Sequence, residues 1–432
     1  MIAKIKEWIP MIFPLLMTFY HIYPQALDVR GSSYISLAGV VGLGFYAYHR
    51  FPFKETLGIL AGMGIMLFSF YTSSFINNTN DPYTFGFIRS QIAWLFSAYL
   101  IILFIFKIHK RPSLNTVLLY IVGAILLQSI IAFAMNINES VHDFFFDLQM
   151  QVEYSEAIVD EGRAQRLMGY GIGFFGAGAI AGIALVLISY LFMRMDLKPA
   201  GFFLLVAAYA FIFYIGLFMA RTTVVGCGVG LLVIAILYLW DNRSLKKQAR
   251  KFIVVSVFAM FAGYTFAMFY FPSFSDWAFE LFINFINTGE ISTRSSSGLS
   301  QMFIIPDEFD TLMWGTGQMT FMGTDVGYSR MLFWLGIPGT IIFYYYQFFV
   351  ARMSFTRDWG VNIAALSMVV YSLALNVKGW IDLNLVTYLI FFFFMFYKYY
   401  VYLPKVNKTD NFWARARRQK MENIYNKNKQ LK

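Results

Sequence analysis

Four arginines stand where a phosphate could be gripped. Arg221 sits in FMARTTVVG, with apolar stretches on both sides and a connection too short to let it wander. Arg294 lies in STRSSSG, Arg330 begins a late apolar run, and Arg166 closes a polar stretch that precedes another. A guanidinium offers a planar fork of N–H donors that meets phosphate oxygens two at a time. Placed at a departing phosphate, such groups stabilise the negative charge that develops there. Asp325, in the TDVGYSR stretch that holds Arg330, is the residue type that takes a proton from an acceptor hydroxyl as general base. Each group also has a plainer reading. An arginine can pair with a nearby acid or snorkel to lipid phosphates, and an aspartate before a helix can cap it.

The elements that must carry these residues are set by composition. Of 432 residues, 59% are hydrophobic and 13% charged, about half the charge of an ordinary globular domain. Charge-poor stretches recur at the length that crosses a hydrocarbon core, roughly 20 residues. They fall at 8–23, 31–48, 56–76, 90–106, 112–135, 167–193, 199–220, 222–240, 252–275, 331–351, 359–377 and 383–397. Backbone groups in lipid must pair within their own segment, so these are helices. The chain is therefore expected to be an all-α, polytopic integral membrane protein of about twelve transmembrane helices. One such domain would run over 1–403, followed by a basic tail at 404–432. The opening MIAKIKEW reads as a short basic flank to a retained anchor. Cys227 is the single cysteine, which excludes an intrachain disulfide.

Lys and Arg collect on the cytoplasmic side of short loops. With the N-terminus inside, eight of the 34 basic residues face outward: Arg30, Arg89, Arg163, Arg166, Arg221, Arg294, Arg330 and Lys378. The other 26 fall inside, and the C-terminus is inside as well. The net charge of +10 thus belongs to a basic inner face and is no signal for nucleic acid. The tail reads as a solvated segment touching anionic lipid.

Two connections are long, and both are expected outside, over about 136–166 and 276–330. Long loops in compact architectures tend to be functional. In the second, Trp277, Leu281, Phe282, Phe285 and Ile286 share a helical face, suited to the outer headgroup boundary, and Gly289 ends the pattern. Gly315, Gly317, Gly323 and Gly327 then permit tight turns. Gly169, Gly173, Gly178 and Gly182, with Gly226 and Gly230, have the spacing of close helix contact. His142 and the acids Asp307, Glu308 and Asp310 read as solvated loop residues. Tyr328 is open to two readings, a ring that stacks on sugar or an interfacial tyrosine.

Four segments, in order, carry a resemblance. MARTTVVGCGVGLL (219–232), STRSSSG (292–298), WGTGQM (314–319) and TDVGYSRMLFWLGIPG (324–339) resemble motifs of Wzy-type O-antigen polymerases and the wider O-antigen ligase family. The resemblance implies a polymerase in the bacterial cytoplasmic membrane. It would join oligosaccharide repeat units carried on undecaprenyl diphosphate at the outer face, needing no cofactor and no metal. It implies diphosphate binding by Arg221 and Arg294, with Arg330 a further candidate, and sugar binding by Tyr328. Asp325 stands where the ligases have a histidine, which favours a polymerase and leaves the identity of the base open. Implied partners are the lipid-linked glycan donor and acceptor, membrane lipid and a chain-length regulator. An O-antigen ligase is the related alternative. A flippase or other transporter of lipid-linked oligosaccharide is the alternative from another class. Transport favours ionisable residues at the midplane and internal repeats; the spans as drawn carry no Asp, Glu, Lys or Arg, and no repeat is apparent.

Overall fold

A computed structural model describes residues 2–28, 30–49, 53–149, 166–270, 298–319, 323–379 and 386–402, together with 272, 275 and 278–289. Among these the regular secondary structure is helical, with two short 3₁₀ turns, and one isolated bridge joins Gly169 to Ile172. In chain order the helices are α1 (Ile2–Ile22), α2 (Arg30–His49), α3 (Phe53–Ile76), α4 (Pro82–His109) and α5 (Leu114–Ile137). Next come α6 (Glu139–Leu148), α7 (Phe174–Arg194), α8 (Pro199–Met219), α9 (Thr223–Trp240) and α10 (Lys246–Tyr270). The last are α11 (Glu280–Thr288), α12 (Phe309–Trp314), α13 (Gly327–Met353), α14 (Trp359–Leu375) and α15 (Val386–Tyr402).

A helix overlaps the described part of each expected span. Seven of these helices, α3, α4, α5 and α7 to α10, are long and apolar enough to cross a membrane. Shorter apolar helices lie at Ile9–Ile22, Trp359–Leu375 and Val386–Val401. The bounds differ from the sequence reading in one informative place. Residues 167–173 are not the start of a span; the helix begins at Phe174. Gly171 has a φ of +67°, and the turn around it is pinned from three sides. Gln128 donates to the Tyr170 carbonyl at 3.1 Å, Gly171 N–H donates to Gln149 at 2.6 Å, and Leu167 N–H donates to the Phe218 carbonyl at 3.1 Å. Hydrophobicity alone cannot show a segment whose backbone is committed elsewhere.

The core is centred on α7, whose apolar window is 83% buried, against 17% for the peripheral α10. Helix α7 packs on α5, α8, α9, α10 and α14. Its small residues explain the close approach. A Cβ on Gly226 of α9 would lie 2.2 Å from Gly182 Cα, so only hydrogen fits at that crossing. Tyr371 of α14 donates to the Ala179 carbonyl at 2.7 Å, across the same junction. Without a hydrophobic drive between helices in lipid, such contacts and hydrogen bonds hold a bundle together.

Charged clasps close one end of the bundle. Arg194, at the end of α7, donates to Asp241 after α9 at 2.5 Å and to Asp358 at the start of α14. Asn115 at the start of α5 donates to the Arg194 carbonyl at 3.1 Å. Lys398 of α15 pairs with Glu55 of α3 at 3.2 Å. The helix ends that meet here alternate in direction, so the joints 166–174, 220–223 and 376–379 gather at the opposite end.

Candidate site at the opposite end of the bundle

Arg221 occupies the tight joint between α8 and α9. Ala220 N–H returns to the Gly216 carbonyl at 2.8 Å, and the Thr223 hydroxyl donates to Ala220 O at 2.9 Å and to Gly178 O at 3.3 Å. Both neighbours of Arg221 pack closely on Gly178, where a Cβ would lie 2.6 Å from Ala220 Cβ and 2.7 Å from the Thr222 hydroxyl. The side chain, 13% exposed, pairs with Glu280 at the start of α11. The amphipathic helix read from Trp277 to Ile286 is thus α11. It ends, as the pattern implies, at Gly289 with a φ of +75°; Trp277 itself lies outside the described residues.

Arg166 reaches the same end through the pinned turn that precedes α7. Its guanidinium stands 5.7 Å from the centre of the Phe174 ring. Lys378 joins from the end of α14, where Gly379 is packed so tightly on Phe175 that a Cβ would overlap the ring. Burial holds the Lys378 ammonium below its ordinary range, the Arg221 and Arg166 guanidiniums push it the same way, and the Asp325 carboxylate opposes them. Burial also lowers Arg166. The four side chains therefore share one electrostatic environment. Asp325 is exposed and acts on Arg330 as well.

The start of α13 is held in place by its neighbours. Gly327 N–H donates to the Asn376 carbonyl at 2.9 Å, and the Tyr328 hydroxyl donates to the Leu373 carbonyl at 2.6 Å. Tyr344 donates to the side chain of the fully buried Asn376 at 3.0 Å. Tyr328 so ties α13 to α14, with its ring 5.4 Å from Tyr344. Thr324 donates to the Met302 carbonyl at 2.5 Å and accepts from Val326 N–H at 3.0 Å. Val326, not Asp325, is the cap residue of α13, and its side chain gives no capping bond. The capping reading of Asp325 is corrected accordingly: Asp325 precedes the cap position of α13.

The segment WGTGQM docks farther along α13. Gly336 has a φ of +66° and interrupts the helix, freeing carbonyls of the preceding turn. Thr316 N–H donates to Phe333 O at 2.7 Å and Gly317 N–H to Trp334 O at 3.1 Å. Ser73 of α3 donates to Trp314 O and, at 3.0 Å, to Trp334 O. Asn77 donates to Gly315 O at 3.0 Å. The close approach demands glycine on both sides: a Cβ on Gly315 would lie 2.3 Å from Trp334 O, and one on Gly336 2.3 Å from Met313 O.

Of the residues singled out from sequence, the structure brings Arg221, Arg330 and Asp325 to one end, with Tyr328 in the frame beside them. Arg294 lies outside the described residues. His142 lies on α6, with its ring stacked 5.3 Å from Phe146 and Nδ1 3.1 Å from Asp143. Asp307, Glu308 and Asp310 are exposed. Arg166, read from sequence among the four candidate phosphate-gripping arginines, lies at the same end. Two participants were missed as members of the site. Lys378 was visible as a cation against the inside bias but sat outside the motifs. Glu280 carried no signal beyond a carboxylate at a helix start. No protein-family model matches the chain, and no curated protein matches it.

Proposed function

We propose that the chain is a polysaccharide polymerase of the bacterial cytoplasmic membrane. It crosses the bilayer about twelve times with both ends inside and joins oligosaccharide repeat units carried on undecaprenyl diphosphate at the outer face. The observation that carries this reading is the charge at one end of the bundle. Arg221 pairs with Glu280, Lys378 lies within electrostatic reach of Arg221, Arg166 and Asp325, and Asp325 acts on Arg330 as well. Among the described residues, four cations against two anions leave a surplus of two positive charges, which matches the two negative charges of a diphosphate diester. Three helices, α7, α9 and α13, also begin at this end, and the partial positive charge of a helix start favours an anion.

The chemistry follows from that balance. The acceptor hydroxyl gives its proton to Asp325 as its oxygen forms the new bond to the anomeric carbon. The bond from that carbon to the phosphate oxygen breaks, and the lipid diphosphate leaves with one more negative charge. The guanidiniums stabilise that developing charge in a partly dehydrated joint, where such interactions are strongest. Arg294 would add a further cation from the outer loop, and Tyr328 would border the sugar while holding the start of α13. The same reading implies a lipid-linked donor and acceptor as partners, and a chain-length regulator.

Purified undecaprenyl-diphosphate-linked repeat units, given to detergent-solubilised protein, test this directly. Longer glycans are expected on a gel without any membrane barrier. Transfer only when lipid A core is supplied would make the protein a ligase. No extension, with translocation of the same substrate in sealed vesicles, would make it a transporter.

A further inference from the structure

At the clasped end, a groove of about 960 Å³ opens between the start of α8 and the start of α10. Its upper rim is charged: Lys246, Lys247, Arg250 and Lys251 line it, against the single carboxylate of Asp196. Lys246 lies 5.2 Å over the Tyr238 ring. Lys247, Arg250 and Lys251 are exposed and make no ion pair among the described residues. One turn farther along, the walls become apolar, with Val254 and Val255 on α10 and Phe202 and Phe203 on α8. Phe203 and Val254 are more than half exposed, and α10 is the least buried span, so this lower part faces lipid.

The floor is built, not left over. The Gln248 amide donates to Phe192 O at 3.0 Å and to Met195 O at 2.8 Å, and accepts from Leu197 N–H at 3.3 Å. Leu245 N–H donates to Met193 O at 2.9 Å. Phe192 stacks on Phe252 at 3.9 Å and meets Phe202 edge-on at 5.4 Å. A fixed groove that passes from cations to exposed apolar walls within two helical turns has the profile of a phospholipid, phosphate above and acyl chain below.

We infer that this groove is a binding site for one anionic phospholipid of the leaflet at the clasped end. The headgroup phosphate lies among Lys247, Arg250 and Lys251, and an acyl chain lies on Phe203, Val254 and Val255. The site is separate from the diphosphate site and requires no catalysis to detect.

The test is native mass spectrometry of the full-length protein in detergent, titrated with phosphatidylglycerol or phosphatidylcholine. One high-occupancy phosphatidylglycerol adduct is expected, with little phosphatidylcholine. Removing three cations as Lys247→Gln/Arg250→Gln/Lys251→Gln should weaken it by roughly 100-fold, since each basic residue at such a surface contributes about a fivefold factor. Lys54→Gln/Lys107→Gln/Lys110→Gln removes three exposed cations outside the groove and should leave the adduct within twofold. Phe203→Ser should weaken lipid binding while the protein stays monodisperse. Equal losses in the two triple variants would show diffuse charge attraction and overturn the site. Competition by inorganic phosphate at millimolar concentration, with no effect of Phe203→Ser, would overturn the lipid as its occupant.

Discussion

Arg221→Ala separates a structural cation from one that acts on substrate, because its ion-pair partner is known. Arg221 and Glu280 are 13% and 18% exposed. Breaking a fully buried pair costs 3–5 kcal/mol, and the partial exposure reduces this to about 2–3 kcal/mol of stability. Arg221→Ala/Glu280→Gln removes both charges and should recover most of that loss. Activity should behave differently. If Arg221 stabilises the departing diphosphate, its loss lowers kcat by about 10²–10³-fold, the usual cost of one such donor, and the double variant stays as inactive as the single one. Glu280→Gln alone removes the anion that occupies the guanidinium before substrate arrives. A charge-assisted hydrogen bond contributes about 1.5–3 kcal/mol, so the donor KM should fall by about tenfold or more with kcat little changed. The assay is glycan extension from purified lipid-linked repeat units, with thermal unfolding followed on the same preparations. Activity that returns together with stability in the double variant would refute the diphosphate role and leave Arg221 a brace for α11.

Other outcomes can be checked in the same system. Lys378 binds an anion only while protonated, and its ammonium is held below the ordinary 10.5 by burial and two guanidiniums; the donor KM should therefore rise with pH from a point below 10.5, and Lys378→Arg should move that rise upward. The sign for stability is opposite: the unfolded chain holds this proton more tightly than the folded one, so this group's contribution grows as pH rises between the two pKa values. Asp325→Asn should cut kcat by at least 10²-fold with the donor KM little changed, as loss of a general base does; full activity would remove Asp325 from the mechanism. Gly226→Val places side-chain atoms against the Gly182 backbone and should abolish a monodisperse protein, whereas a Cβ at Gly228 meets nothing within 4 Å, so Gly228→Ala should melt within about 1 °C of the parent.

The helices were legible because lipid imposes one rule on every span, a length of apolar residues with few charges. The turn at 167–173 was not, since Leu167, Met168, Tyr170 and Ile172 look like span while their backbone is bonded to α5, α8 and the Gln149 side chain. The arginine at 221 stood out because it breaks the inside bias between two apolar stretches. Lys378 breaks the same bias but follows a span without a motif, and only packing of α14 against α7 shows that it shares Arg221's surroundings. Glu280 required tertiary structure altogether: nothing local in DWAFELFINF says which of its neighbours will pair with it. The small residues of α7 and α9 were read correctly as contact positions because the absence of a side chain is itself the signal.

The interruption at Gly336 has a consequence for how much of the segment before α13 can vary. Two amide donors from 316 and 317 complete the broken turn of α13, and glycine at 315 lets the strands of backbone meet. The stretch from 298 to 308 is held as well, Met302 O by the Thr324 hydroxyl and Ile304 N–H by the Ser329 hydroxyl, so inserted length there must leave both contacts in place. A single residue added between 314 and 317 would strip the helix of its substitute partners. The stretch 314–317 is thereby as fixed in register as the bundle it enters.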